Sequence, residues 1–429
     1  MTQPTIIPRP EHSISRDNID DYALKVLYRL HKAGYRAMLV GGGVRDLLLG
    51  HAPKDFDVAT DAHPEEVKKL FSNSRLIGRR FRLAHVFFGR EIIEVATFRA
   101  SQDDADDIEE SDREHNDSGR ILRDNVYGQI EDDVWRRDFT VNALYYDIAD
   151  FSIIDYTSGM EDVKNRVLRL IGDPETRYRE DPVRMLRAIR FAAKLGFSIH
   201  PESEKPIYQL GHLLGDIPPA RLFDEVLKLF HSGKANESLR LLRQYDLLQY
   251  LFKQTDQQLK QGDEGFARFI ELCLHSTDER INQDKPVTPA FLFAAMLWRP
   301  VSELADELVA AGEPLSIAMQ NASSMVLSKQ IRTISIPKRF SMVARDIWHL
   351  QHRFKNRHGR RAQGLLGHKK FRAAYDFMCI RSQAGEISDD SCEWWTRLQT
   401  LDASAQEKLL KPARVKSTKK ARGGKKKAP

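Results

Sequence analysis

Residues 38–60 read Met-Leu-Val-Gly-Gly-Gly-Val-Arg-Asp-Leu-Leu-Leu-Gly-His-Ala-Pro-Lys-Asp-Phe-Asp-Val-Ala-Thr. The apolar run that ends at Val40 predicts a buried strand, and the glycines after it allow a sharp turn and a close approach of the backbone to a ligand. A glycine turn that feeds the first turn of a helix points several N–H groups at one spot, which suits a phosphate. Gly41 and Gly42 are therefore expected to bind a phosphate group, and the guanidinium of Arg45 is expected to reach the same anion.

Two aspartates, Asp55 and Asp57, follow at a spacing of i, i+2. Side chains on a strand alternate between its two faces, so a strand here would point both carboxylates the same way. Two like charges at close range repel unless a cation compensates them, and Mg²⁺ favours one or two carboxylates together with substrate phosphates. A lone Asp-x-Asp is usually a solvated turn, but its combination with the glycine turn and Arg45 predicts a metal site.

The segment Leu39–Asp46 together with Asp55-Phe56-Asp57 resembles the nucleotidyltransferase superfamily that includes DNA polymerase beta. More narrowly, it is similar to the class that holds bacterial poly(A) polymerases and CCA-adding enzymes. The resemblance implies an α/β (α+β) nucleotidyltransferase head of the DNA polymerase beta type, followed by an all-α neck, body and tail region. The domains expected from it are a flexible arm at 1–20, the catalytic head at 21–160, a helical neck with a nucleotide- and RNA-binding helix at 161–240, a helical body with RNA-binding function at 241–402, and a disordered basic tail at 403–429.

A third carboxylate is expected beside the two aspartates. Glu94 lies inside the second strand of a predicted hairpin, where it either faces water at a sheet edge or joins the metal site. The motif Arg-Arg-Asp-Phe-Thr-x-Asn begins at Arg136, and by resemblance it places Asp138 in the active site and Arg137 on the nucleotide. Which of Glu94 and Asp138 completes the acidic cluster stays open at this point.

The segment from Glu180 to Phe191 predicts a helix that begins at Pro182 and carries Arg184 and Arg187 on one face. The pattern alone also fits a solvated basic stripe. By resemblance to the family motif Glu-Asp-x-x-Arg, Asp181 and Arg184 read the edge of the incoming base, with Arg187 nearby. A protein without a template must choose the base itself, and a site that hydrogen-bonds one base edge rejects others.

Three arginines, Arg79, Arg80 and Arg82, surround the aromatic Phe81. Such a mixture suits phosphate contact and base stacking, although a charged strand edge in solvent has the same composition. The stretch Gly-Arg-Arg-Phe-x-Leu-x-His-Val looks like the one that sets bacterial poly(A) polymerases apart from CCA-adding enzymes.

The 429 residues are too many for one compact core, so two or more domains are expected. No apolar run is long enough to span a bilayer and no signal peptide opens the chain, which predicts a cytoplasmic protein. The cysteines Cys273, Cys379 and Cys392 are far apart, form no metal pattern and are expected to be small buried thiols in a reducing compartment.

The net charge of +6 is unevenly distributed, since nine Lys or Arg residues and no acid lie between Lys411 and the end, leaving −3 for the rest. This tail lacks core-forming residues and is expected to bind RNA or acidic proteins. Residues 101–118 hold nine Asp or Glu residues against Arg113, which indicates a solvated loop.

The resemblance implies a template-independent enzyme that adds AMP from ATP to the 3′ ends of mRNA and other RNAs, promoting RNA turnover. In the expected two-metal phosphoryl transfer, Asp55 and Asp57 hold two Mg²⁺ ions, with Mn²⁺ as a substitute. The chain is expected to act as a monomer. Three alternatives stay open: a CCA-adding tRNA nucleotidyltransferase, a non-catalytic RNA-binding protein on a transferase fold, and a phosphotransferase that acts independently of nucleic acid.

Overall fold

The computed structural model describes residues 3–78, 82–100 and 127–411. Internal contacts divide the chain into two compact units, Met1–Ile217 and Pro218–Pro429. The division falls within the predicted neck, so residues 161–217 of that neck belong to the same unit as the catalytic head. The predicted Arg79, Arg80 and Phe81, the acidic segment 101–118 and the basic tail beyond residue 411 lie outside the described residues.

An eight-stranded sheet forms the centre of the first unit. Its strands are β1 Thr5–Ile7, β2 Ala37–Val40, β3 Asp57–Thr60, β4 Ser74–Ile77, β5 Leu83–Phe88, β6 Glu91–Thr97, β7 Leu144–Asp147 and β8 Ile153–Asp155. They lie in the order β1-β8-β7-β2-β3-β6-β5-β4. Only the pairing of β3 with β6 is parallel among these neighbours. This mixed sheet confirms the predicted α/β (α+β) head.

Helices and a small second sheet complete the first unit. The helices are α1 Asp21–Lys32, α2 Gly42–Leu48, α3 Pro64–Leu70, α4 Ile130–Arg136, α5 Gly159–Asn165, α6 Pro174–Glu180, α7 Val183–Leu195 and α8 Pro201–Leu210. Strands β9 Val167–Leu168 and β10 Ser198–Ile199 pair in parallel. The predicted all-helical neck therefore contains a short β-ribbon, because the extended backbone before α6 pairs with the extended backbone after α7.

The two faces of the main sheet are buried against different helices. Helices α1 and α3 contact strands β2 to β6 on one side. On the other side, α4 contributes Ile130 and Val134 to an apolar cluster with Met38, Val40 and Ala59 of β2 and β3. Strand β2 is buried on both faces, and its sequence Ala-Met-Leu-Val is accordingly a continuous apolar run rather than an alternating one.

The N-terminal arm is not wholly flexible, contrary to the prediction. Strand β1 pairs antiparallel with β8, and the buried His12 contacts the carbonyl oxygen of Phe151 at 2.8 Å. The physical reason is that β8 would otherwise expose a row of unpaired backbone groups, and a three-residue strand satisfies them.

In the described part of the second unit, all regular elements are helical, as predicted. The helices are α9 Pro219–Phe230, α10 Ala235–Gln244, α11 Leu248–Leu251, α12 Lys253–Lys260, α13 Glu264–Asn282, α14 Pro289–Met296, α15 Trp298–Ala310, α16 Leu315–Thr333, α17 Lys338–Gln351, α18 Gly359–Leu366, α19 Phe371–Gln383, α20 Asp390–Thr400 and α21 Ala403–Leu410. None of the helices described is both long and apolar enough to cross a bilayer.

The C-terminal end of this unit corrects two predictions. Residues 403–410 form α21 rather than a disordered tail, because Leu410 is buried in an apolar cluster with Trp395 and Leu398 of α20. Cys379 and Cys392 form a disulfide instead of standing apart as thiols. Cys379 lies on α19 and Cys392 on α20, and the packing of these helices brings the two cysteine Cα atoms to 5.0 Å although 13 positions separate them in the sequence. Cys273 is a buried thiol, as predicted.

Candidate active site

The glycine turn joins β2 to α2 as the sequence predicts. Strand β2 ends at Val40, Gly41 adopts a φ of 74° and a ψ of −138°, and α2 begins at Gly42. A Cβ atom on Gly41 would lie 3.6 Å from Nη1 of Arg137 and 3.9 Å from Oδ2 of Asp57. The turn, Arg137 and Asp57 therefore meet at one place, although the sequence separates them widely.

Two carboxylates lie side by side on neighbouring strands. Asp57 is the first residue of β3, and its register partner on the parallel strand β6 is Glu94. Directly opposite residues present their side chains on the same face of a sheet. Asp55 precedes the strand instead of lying in it, which differs from the predicted period-two arrangement. It is nevertheless close enough to act on the charge of Asp57.

The electrostatics of Asp57 reflect this crowding. Its side chain is exposed at the start of β3, yet neighbouring protein atoms remove part of its hydration. That desolvation and the charges of Glu94 and Asp55 raise the pKa of Asp57, while the positive charge of Arg137 lowers it. The net result is a pKa of about 6. Repulsion between carboxylates is the condition that a bound divalent cation relieves.

The described residues contain no preformed cluster of three His, Cys, Asp or Glu side chains that could hold a metal ion. A Mg²⁺ site does not require one, since this ion is commonly held by one or two carboxylates and substrate phosphates. Asp57, with Glu94 and Asp55 nearby, is a donor set of this kind.

The carboxylate of Asp138 is held by Arg187 of α7 and by the backbone of Phe139. This carboxylate accepts hydrogen bonds from both Nε, at 2.7 Å, and Nη2 of Arg187, and from the backbone N–H of Phe139 at 2.8 Å. Burial alone would raise the pKa of Asp138, but Arg187 and these hydrogen bonds hold the pKa below its ordinary value. Asp138 thus ties Arg187 of α7 to the head.

Arg45 supports the glycine turn from inside. The residue is 2% exposed, and its guanidinium donates to Asp46 at 2.7 and 2.9 Å and to the side-chain oxygen of Asn142, and lies 5.6 Å from the ring of Phe191. A Cβ on Gly42 would lie 3.3 Å from Nη2 of Arg45. Arg45 was predicted to contact a bound anion, but in the structure its side chain points into the core.

Arg137 is held by two residues that the sequence analysis missed. Its Nε donates to the hydroxyl of Tyr145 at 2.7 Å, its Nη2 donates to Asp133 at 2.9 Å, and the Tyr145 hydroxyl donates to the same Asp133 oxygen at 2.7 Å. Burial alone would lower the pKa of Arg137, but Tyr145 and Asp133 raise it above its ordinary value. The result is a fixed positive charge whose Nη1 lies beside Gly41 and Asp57.

The predicted base-reading residues lie at the junction of α6 and α7. Asp181 ends α6 and its Oδ1 accepts a hydrogen bond from the backbone of Val183 at 3.3 Å. Arg184 is 15% exposed and its Nη1 donates to Glu180 and to the carbonyl oxygen of Arg177. The backbone N–H of Arg184 also donates to the carbonyl oxygen of Asp181 at 3.0 Å, so the two residues are close neighbours at this polar junction.

Arg177 connects this junction to the motif that begins at Arg136, and the sequence analysis did not identify Arg177. Its Nη2 donates to the carbonyl oxygens of Arg136 and Arg137 at 3.2 and 2.9 Å. No local pattern marks such a contact. The i, i+4 spacing of Asp133, on α4, and Arg137, which directly follows α4, could by contrast have predicted their ion pair. Asn142 belongs to the recognised motif that begins at Arg136.

Arg82 belongs to the predicted RNA-binding stretch and forms an exposed ion pair with Glu65 at 2.6 Å. Exposed pairs of this kind contribute little to stability. Since Arg79 and Arg80 lie outside the described residues, this part of the prediction stays a prediction.

Comparisons with known proteins agree with this geometry. Residues 37–169 match the family described as "Poly A polymerase head domain", residues 196–259 match "Probable RNA and SrmB- binding site of polymerase A", and residues 311–428 match "Polymerase A arginine-rich C-terminus". The chain is 53% identical over 413 residues to poly(A) polymerase I of Escherichia coli O6:H1, an alignment that covers 95% of this chain and 88% of the relative.

Similarity to CCA-adding enzymes is weaker. The enzyme of Bacillus subtilis is 36% identical over 229 residues, which cover 53% of this chain and 55% of that protein. The crystal structure of the Bacillus stearothermophilus CCA-adding enzyme in complex with CTP superposes with a TM-score of 0.58 at 26% identity, over 88% of this chain and 82% of that one. The identity over nearly the full length, the matched head and the converging site together show that this chain is a nucleotidyltransferase of the poly(A) polymerase family.

Proposed function

We propose that this chain adds AMP units from ATP to the 3′ ends of RNA without a template. The observation that carries the proposal is the register pair Asp57–Glu94, which lies beside Gly41 and Arg137. Carboxylates for a metal and donors for a phosphate chain are the two requirements of phosphoryl transfer, in which the protein contributes mainly positioning and charge stabilisation.

Asp55 and Asp57 would hold two Mg²⁺ ions, or Mn²⁺ in their place, with Glu94 as the third carboxylate. The support is electrostatic, since Glu94 and Asp55 both raise the pKa of Asp57. Bound divalent ions supply a lower pKa for the RNA 3′-hydroxyl and neutralise the charge of the triphosphate. The 3′-oxygen of RNA attacks the α-phosphorus of ATP, the bond to the β-phosphate oxygen breaks, and pyrophosphate leaves.

The backbone N–H groups at Gly41 and Gly42 and Nη1 of Arg137 would bind the triphosphate. Arg137 suits this role because Asp133 and Tyr145 fix its orientation and its charge. Arg45 would act indirectly by keeping the turn in place from below. Asp181 and Arg184 would select the adenine edge, and Asp138 would serve by fixing Arg187 near them.

Two further parts of the proposal follow from the substrate. An enzyme that uses ATP and RNA 3′ ends meets both in the cytoplasm. All the residues named above belong to one chain, so we propose that the monomer is active.

A CCA-adding activity is the second candidate, since the solved CCA-adding enzyme with CTP shares the fold. The observation that disfavours it is the extent of similarity, because the Bacillus subtilis CCA-adding enzyme aligns over only 53% of this chain. A non-catalytic RNA-binding protein would have no need for two crowded carboxylates, which cost stability without a cation.

Primer extension with each nucleoside triphosphate alone tests the proposal. Purified protein with an unstructured RNA oligonucleotide and Mg²⁺ is expected to produce long ladders with ATP only. Asp57→Ala should abolish extension, while the matched control Glu91→Ala, an exposed carboxylate of the same strand as Glu94, should leave it unchanged. One or two additions with CTP and a preference for tRNA would instead establish the CCA-adding activity, and no extension with any nucleotide would refute both.

A further inference from the structure

We propose that the face of β4, β5 and β6 that carries Arg75, His85 and Phe87, here named the acceptor face, binds the last nucleotides of the RNA acceptor. This inference rests on the proposed function, because it adds the second substrate to the same site. It assigns an RNA subsite to strand residues outside the glycine, aspartate and arginine motifs described above.

The first argument is a continuous polar row across four strands. Asp57 is opposite Glu94, Glu94 is opposite His85, and His85 is opposite Arg75. Partners in register share a face, so the row runs from the carboxylates to the edge of the sheet over about 14 Å at about 4.8 Å per strand. Nε2 of His85 lies 3.1 Å from Oε1 of Glu94, which joins the row to the catalytic group.

The second argument is the set of apolar side chains on either side of this row. Ile92 is opposite Phe87 on one side, and Ile77 is opposite Leu83 on the other. Ile92 is 44% exposed and Ile77 is 36% exposed. The guanidinium of Arg75 lies 5.8 Å from the centre of the Phe87 ring. An aromatic ring, aliphatic side chains and cations together are the composition of surfaces that stack bases and contact phosphates.

The third argument is that the opposite face already provides the core. Val86 and Val95 alternate with the acceptor-face residues and are buried. On that side, Tyr22 of α1 stacks on Phe88 with 4.5 Å between ring centres, and α3 contacts β4, β5 and β6. The exposed apolar residues of the acceptor face are thus not needed for packing against α1 and α3.

The acceptor face is continuous with Asp57 and Glu94 and carries Arg75 and His85, and both features indicate single-stranded RNA as its ligand. The attacking 3′-oxygen must reach Asp57 and Glu94, while the triphosphate occupies the side of Asp57 where Gly41 and Arg137 lie. An acceptor strand therefore approaches from the other side, which is the acceptor face. Arg75 and His85 would contact its backbone, and Phe87 and Ile92 would contact its bases.

Kinetics with matched controls test the inference. We expect Arg75→Gln and Ile92→Ser each to raise the KM for a short oligo(A) at least about fivefold, with the KM for ATP unchanged. Arg75→Gln should also reduce the slope of log affinity for RNA against log salt by about 0.7. The controls Lys32→Gln, on α1 behind the sheet, and Ile6→Ser, exposed on β1 at the far edge, should behave as the wild type.

Photo-crosslinking gives a readout that does not need catalysis. An oligo(A) that ends in a photoreactive thiouridine, bound to the Asp57→Asn protein, is expected to crosslink to residues 74–94. If the wild type extends RNA but the acceptor-face variants match their controls and crosslinks fall elsewhere, the inference is wrong while the proposed function stands. If the wild type extends no acceptor at all, the proposed function itself fails.

Discussion

Gly41 and Gly50 share a positive φ of 74°, but of the two only Gly41 lies beside Arg137 and Asp57. L-residues adopt this backbone conformation at a cost, so alanine at either position should lower the free energy of unfolding by about 1–3 kcal/mol. At Gly41 the new Cβ would also lie 3.6 Å from Nη1 of Arg137, whereas nothing lies within 4 Å at Gly50. We therefore expect Gly41→Ala to lose adenylyl transfer and Gly50→Ala to retain it, as measured by primer extension beside urea unfolding. Equal activity of the two variants would contradict the placement of the phosphate site.

Tyr145 and Tyr146 are adjacent buried residues with opposite environments. The hydroxyl of Tyr145 joins Asp133 to Arg137, while the hydroxyl of Tyr146 has no hydrogen-bond partner among the described residues. Tyr145→Phe should cost about 1 kcal/mol of stability and reduce kcat about tenfold, because Arg137 loses one of its anchors. Tyr146→Phe should leave kcat unchanged and should not lower the stability, because the buried hydroxyl has no hydrogen bond to lose. Steady-state kinetics with ATP and thermal unfolding measure both effects, and a normal kcat in Tyr145→Phe would show that Arg137 needs no such anchor.

Asp57 makes the metal-free protein sensitive to pH. Its pKa is raised to about 6 by lost hydration and by Glu94, so the folded state disfavours the charged form. For an acid with a raised pKa, the stability cost is present above the folded pKa and disappears as the pH falls toward the unfolded value. We expect Asp57→Asn to raise the Tm in EDTA at about pH 7.5 and to have little effect at about pH 3.5. An equal Tm shift at both values would show that repulsion is not the cause.

At the scale of elements, α21 is a packed part of the second unit rather than the start of a tail. Leu410 is 5% exposed in the cluster with Trp395, and Gln406 donates to the carbonyl oxygens of Leu398 and Leu401 at 3.0 and 3.1 Å. Deleting residues 402–429 should therefore lower the free energy of unfolding by about 2–3 kcal/mol, because the apolar area of Leu410 is no longer buried. Deleting only 412–429 should change it little. Urea unfolding of the two truncations decides this, and identical midpoints would mean that α21 adds no stability.

At the scale of the whole molecule, the basic C-terminal segment should govern how RNA affinity depends on salt. Residues 412–429 carry eight Lys or Arg residues, the nine counted from Lys411 without Lys411 itself. Each residue that neutralises a phosphate of single-stranded RNA adds about 0.7 to the slope of log affinity against log salt. Deleting residues 412–429 should reduce the slope by about 0.7 for each RNA phosphate that the segment neutralises. The KM for ATP should stay unchanged. Filter binding across a salt series measures the slope, and an unchanged slope would rule out a role of the segment in RNA affinity.

Local geometry and family membership can be read from the sequence alone. The run from Ala37 to Val40, the glycine turn and the start of α2 follow from periodicity and from the conformational freedom of glycine, and the structure has them where the pattern places them. These features depend on neighbouring residues only, so a local pattern carries enough information to predict them. The motifs around Asp57 and Asp138 are recognisable for the same reason.

Which of these residues meet depends on the tertiary structure. The parallel register of β3 and β6 brings Asp57 beside Glu94. The position of α7 lets Arg187 donate to Asp138, and Arg45 is buried in the core. The pairing of β1 with β8 at the sheet edge and the Cys379–Cys392 disulfide also depend on the tertiary structure. Register, burial and partner choice depend on contacts between distant segments, whose free energies are gained only when the whole unit packs. No local pattern encodes them, so the chemistry of the site is readable from the sequence while the contacts among its residues are not.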